Sequence, residues 1–221
     1  MSKNIPLFEY PETFETFDVL LDKLLNETAR GAVLIGTSHV EEHLENLILR
    51  ILPSDKKQFT TKLFNYPGSL SSFSAKIELS YAFRLISEDT YSCLNHLRKI
   101  RNEAAHSAKE FSLADKELDE VFDLGPGFKK MVNDVALEMM MKTKMQSIKR
   151  IIGGKEGMKE EEINEQIVSL FNDEKNIEKL DKQLPHWKLV FGLSIVCGML
   201  RFYSDQTHEK IKDAKTWSDI K

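Results

Sequence analysis

The sequence predicts an all-helical protein, folded as a compact bundle, on three observations. Apolar residues recur at three- and four-residue steps through most of the 221 residues, the spacing that lines one face of an α-helix. The two-residue alternation that marks a half-buried strand is scarce. Segments with helical spacing are separated by Pro, Gly and Ser clusters, which stop one helix and start the next.

The first helix is expected through Phe14, Phe17, Leu20, Leu21, Leu24 and Leu25. A second runs through Val33, Val40, Leu44, Leu47, Ile48 and Ile51 and ends before Pro53, which has no N–H to continue it and clashes with the preceding turn. A third covers roughly Lys56 to Phe64, and Asn65-Tyr66-Pro67-Gly68 is a turn. Ser69, Ser71 and Ser72 then offer N-cap oxygens to a helix through Phe73, Ile77, Leu79 and Tyr81. Ser87 with Glu88 and Asp89 marks the next start, because acidic side chains in a first turn complement the helix dipole. That helix carries Leu94, Leu97 and Ile100 and places Arg101 to His106 at its C-terminal end. Gly125-Pro126-Gly127 breaks the chain, and a Met-rich helix follows from about Phe128 to Ile152, ending at Gly153-Gly154. Lys155 to Glu165 is highly charged, a solvated helix start or a linker, and Trp187 to Tyr203 returns to the core. The organisation expected is a helical core over 1–124 with a C-terminal helical extension over 125–221 packed on the same domain.

Bulk properties narrow the function classes. A net charge of −4 works against indiscriminate nucleic-acid binding, which needs a local excess of Lys and Arg. Cys93 and Cys197 both lie in apolar helical patterns and no basic, then apolar, leader opens the chain, so a reducing cytoplasm is the expected location. The apolar run Leu189 to Leu200 is short of the roughly 20 residues that a membrane span needs. It reads as a buried core helix.

Four blocks in order resemble the mannitol-repressor (MtlR) family: Arg30 to Thr37 with Glu41, Leu70 to Ala82, Leu85-Ile86-Ser87, and Ile100 to Ser107. The resemblance covers residues 30 to about 113, and implies an all-helical bundle, often dimeric, that regulates transcription for mannitol utilisation. A DNA-reading module is not part of that family's pattern. The last block, Arg101-Asn102-Glu103-Ala104-Ala105-His106, also resembles the Arg-polar-x-x-x-His signature of the wider HEPN group of helical proteins, many of them metal-independent ribonucleases or toxins and others inactive binding modules. Arg101, Asn102 and His106 fall on that signature, so the resemblance implies a HEPN-like core.

On a helix Arg98, Asn102 and His106 lie four residues apart and share a face, whereas Arg101 is about 140° around from His106. One helix therefore presents an incomplete site, and the resemblance implies that two copies complete it across a two-fold axis. A neutral His106 could take the 2′-hydroxyl proton of RNA while Arg101 or Arg98 stabilises the charge gathering on the phosphate, with Asn102 as the orienting group. Such chemistry needs no metal and no cofactor, and leaves a cyclic phosphate. In the purely structural alternative Asn102 and His106 bond backbone carbonyls at the helix end, while Arg101 pairs with a carboxylate and orders the dimer.

Other motifs carry less. His39-Val40-Glu41-Glu42-His43 satisfies the inverted zinc-protease pattern, but no third ligand is identifiable and no metal is expected. The serines after Gly68 begin a helix whose free amides could attract an anion, with Lys76 assisting, although capping explains them equally well. Lys142, Lys144, Lys149 and Arg150 form the one concentrated basic stretch, interleaved with methionines, and read as a solvated helix face. The function expected is a regulator that works through a protein partner or RNA, as a homodimer and without autonomous reading of DNA or attachment to a membrane. The alternative is a metal-independent ribonuclease.

Overall fold

A computed structural model describes residues 9–52, 57–107, 111, 115–125, 127–153, 169 and 173–211. Among them the chain is all-helical: α1 (Pro11–Leu25), α2 (Ala29–Leu49), α3 (Lys57–Phe64), α4 (Phe73–Ala82), α5 (Glu88–His106), α6 (Asp115–Val121), α7 (Phe128–Gly153) and α8 (Glu174–Ile211). No strand occurs among the described residues.

Local chemistry sets most of these boundaries. α1 opens on Pro11, whose fixed φ suits a first helical position and whose missing N–H would have had no partner there. Thr28, Ser72 and Ser87 cap α2, α4 and α5, each oxygen accepting from an amide three residues on, at 3.1, 3.2 and 3.2 Å. α4 closes with Leu85 N donating to Ser80 O and Arg84 N to Tyr81 O, both at 2.9 Å, and Arg84 takes the left-handed backbone at φ 58° that such an ending requires. Gly125 and Gly127, at φ 108° and 85°, make the turn into α7 in a conformation that side-chain-bearing residues avoid.

α8 is the organising element. It packs most widely against α2 and α1, then along α7, while α2 also meets α4 and α5, and α6 bridges α5 and α8. From Trp187 to Leu200 every residue of α8 is buried, as befits a helix surrounded by others. The core joins Phe17, Leu24, Val40, Leu44, Ile77, Leu94, Leu97, Phe122 and Met140 to this segment.

Two elements extend beyond the sequence expectation. α6 exists because Leu118 and Val121, with Phe122 just past its end, are 1–2% exposed, so tertiary burial supports a helix too short to stand alone. α8 runs back to Glu174 through Pro185. Proline there leaves the carbonyl four residues earlier without a helical donor, and Asp181 is exposed, so water can satisfy it. The charged stretch Lys155 to Glu165 lies outside the described residues.

Cys93 and Cys197 are buried free thiols whose pKa burial pushes well up, which keeps them protonated and unreactive. Among the described residues no helix is long and apolar enough to cross a membrane.

Two imidazoles couple the fold to pH. Burial lowers the pKa of His43, against the opposing charge of Glu42, and burial lowers that of His186, against the backbone of Leu25. Both groups therefore favour the folded state when neutral, and that stability, present above the ordinary value of 6.5, is lost as pH falls through the lowered folded values. The melting temperature should drop between pH 7 and pH 5. A His43→Gln, His186→Gln chain should show a shallower drop in the same thermal scans.

Candidate functional site: the end of α5

α5 buries Thr90, Cys93, Leu94, Leu97 and Ala104, and this single face fixes how the helix is rolled against α2, α4 and α6. Its C-terminal end is tied down separately. Arg30 Nη1 of α2 donates to Ser107 O at 2.9 Å, and the same guanidinium lies 6.0 Å from the ring centre of Phe111, while Ser107 N closes the helix onto Glu103 O at 2.8 Å. A cation at a helix C-terminus is where the dipole favours one. The last turns are thereby held in place.

With Ala104 facing inward, Arg101, Asn102, Glu103, Ala105 and His106 are all exposed. Arg101 Nη1 donates to Asn102 Oδ1 at 3.3 Å, so the long arginine reaches its neighbour although the two Cα positions are about 100° apart on the helix. Among the described residues the His106 ring has no hydrogen-bond partner, and Arg101 has no carboxylate. Within one copy of the chain and among the described residues, Asn102 and His106 make no bond to a backbone carbonyl. Arg98 shares the face of Asn102 and His106 but is half-buried, with its Nε buried and unpartnered. The structure brings Arg101 and Asn102 together at the surface and leaves Arg98 lower on the helix flank.

Lys76 is elsewhere. Rather than facing an anion at the start of α4, it is 5% exposed, with its ammonium 2.9 Å from Glu41 Oε1 and 2.7 Å from Glu45 Oε2 and 5.8 Å from the ring centre of Phe64. Burial alone would lower its pKa, but the hydrogen bonds to Glu45 and Glu41 and their charges outweigh it and raise it overall. The lysine is a tie between α4 and α2.

The His39–His43 pattern is also engaged in the fold. Lys23 Nζ donates to His39 Nε2 at 3.0 Å, so the ring carries its proton on Nδ1, which faces Glu42 Oε2 at 3.5 Å. Among the described residues no group of three His, Cys, Asp or Glu side chains is placed to hold a metal ion.

Sequence reasoning missed two polar clefts. One of about 380 Å³ is lined by Asp89, Ser92, His96, Glu120 and Asp123, on the N-terminal half of α5. Another of about 650 Å³ follows the turn into α7, where Lys129 and Lys130 are already paired with Asp119 and Asp134. The first depends on α6, which supplies Glu120 and whose placement against α5 no local pattern announces. No protein-family model, curated protein or solved structure gives a significant match to the chain.

Proposed function

We propose that this chain is a cytoplasmic regulator of the mannitol-repressor kind, acting as a homodimer through contact with a protein partner, with the end of α5 as its contact surface. One observation carries the reading: Arg101, Asn102 and His106 stand exposed on a helix end that Arg30 holds in place, yet they serve no packing or tethering role among the described residues. A helix end held in this way presents its side chains to a partner with no backbone left to order. The net charge of −4 and the dispersal of Arg30 and Lys76 into internal contacts favour a protein over a nucleic-acid backbone.

Transcript profiling of cells expressing the parent, an Arg101→Ala chain and a His106→Ala chain tests it. Transcript levels should change with the parent and revert with either variant at equal protein level. Identical profiles for all three would remove the α5 end from the function.

A metal-independent ribonuclease is the second reading, favoured by the unengaged His106 ring beside the Arg101–Asn102 pair. There His106 would take the 2′-hydroxyl proton, the freed oxygen would attack the adjacent phosphorus, and Arg101 would balance the added charge as the 5′-oxygen leaves. Purified protein incubated with mixed cellular RNA and chelator should leave the RNA intact if the regulator reading holds. Cleavage that persists with chelator and disappears in His106→Ala would replace it with the ribonuclease.

A further inference from the structure

The second half of α7 carries an apolar stripe that the fold leaves outside. Leu137, Met145 and Ile151 are 45%, 39% and 72% exposed, and Met141 and Ile148 between them are half-buried. At about 100° per residue these five fall within an arc of roughly 120°. The residues that α7 gives to the core, Val132, Ala136 and Met140 with Met131, Val135 and Met139 beside them, centre roughly 170° away. α7 is thus apolar on two opposite faces, the first half inward and the second half outward. Single exposed apolar residues are ordinary, but five on one face spanning about 21 Å form a patch.

Charge decides what fits it. From Met139 to Ile151 the helix carries Lys142, Lys144, Lys149 and Arg150 and no acidic residue. Lys142 is paired with Glu138 at 2.6 Å, and among the described residues Lys144, Lys149 and Arg150 have no carboxylate partner. On the helix Lys144 falls inside the apolar arc and Lys142 and Lys149 border one edge of it. A second copy laid against this face would set Lys142, Lys144 and Lys149 against the same three cations and bring Lys144 near its own equivalent. A nucleic acid would satisfy the lysines and leave the methionines and isoleucines wet. Helices that lie in a bilayer surface favour Trp, Phe or Leu on the apolar side, and of these the stripe has Leu137 alone.

An acidic helix satisfies both features. The steps between the five residues are four, four, three and three, which average the 3.5-residue repeat of paired helices, and methionine side chains adapt to an incoming surface. We propose that the α7 face of Leu137, Met141, Met145, Ile148 and Ile151 is a docking surface for an acidic amphipathic helix of a partner protein. It uses a different helix from the α5 end and does not rest on that reading.

The test titrates the full chain into two labelled synthetic helical peptides of about three heptads, one with leucines at the a and d positions flanked by glutamates, the other with lysines in place of the glutamates. Fluorescence anisotropy should show micromolar binding of the glutamate peptide and at least roughly tenfold weaker binding of the lysine peptide. Met145→Glu should weaken the first by a similar factor. A Lys144→Glu, Lys149→Glu chain should exchange the preference and bind the lysine peptide, a gain that a misfolded chain could not produce. Absent or equal binding of the two peptides would overturn the proposal. So would sedimentation with phosphatidylglycerol vesicles in place of peptide binding, or a dimer of the chain that Met145→Glu dissolves.

Discussion

Gly192→Ala should destabilise the protein by about 3 kcal/mol, although the same change in most helix interiors stabilises by up to about 1 kcal/mol. A Cβ at Gly192 would lie 2.5 Å from Phe122 Cε2, 2.5 Å from Cζ and 2.6 Å from Cε1. Phe122 is 1% exposed and belongs to the same buried cluster as Leu118, Val121, Leu189 and Val196, so a displaced ring must disturb close-packed surroundings. The added methyl either expels the ring or pushes α6 away from α8, and each route exposes apolar area. Urea unfolding measures the loss, and the pairing of Gly192→Ala with Phe122→Leu separates this cause from others. The smaller side chain leaves room for the methyl, so the double variant should lose less than the sum of the two single losses. A Gly192→Ala chain as stable as the parent would show that the helices adjust at little cost.

The same contact marks the boundary of what local pattern can reveal. Ser72, Ser87 and the glycines of the turn into α7 announce helix ends because a cap or a positive φ is chemistry within a few residues. α6 does not announce itself, since its apolar residues Leu118 and Val121, with Phe122 beyond, pattern a helix only after α5 and α8 are in place to cover them. Likewise Gly192 reads in the sequence as one small residue in an apolar run, and its close approach to Phe122 is a fact about two elements 70 positions apart in the numbering of this chain. At the α5 end the motif residues and their position on the last turns were legible. The Arg101–Asn102 pairing and the half-burial of Arg98 were not, because they follow from side-chain reach and from how Ala104 and Leu97 roll the helix. On α7 the methionines were visible as a basic, Met-rich stretch, while the division into an inward and an outward apolar face required knowing which residues α8 covers.

Lys76→Ala should cost about 2 kcal/mol. Removing the ammonium leaves Glu41 and Glu45, one helical turn apart on α2, as neighbouring like charges with no cation between them, and i,i+4 repulsion adds to their lost hydrogen bonds. The usual cost of breaking a fully buried pair, about 3–5 kcal/mol, must be reduced here because the two glutamate side chains are 26% and 33% exposed and water screens them. Lys76→Met keeps most of the stem's packing near Phe64, so the difference between the two variants measures packing and their common loss measures charge. Adding Glu41→Gln and Glu45→Gln to Lys76→Met should then recover most of the common loss, since no carboxylate is left unpaired. The pH dependence gives an independent sign. With its folded pKa raised above the ordinary 10.5, Lys76 contributes stability that is fully present below that value and lost as pH rises through the higher folded one. The stability gap between the parent and Lys76→Met should therefore stay constant from pH 8 to pH 10 and narrow above. A gap that is absent near neutral pH would mean that apolar contacts alone hold α4 to α2.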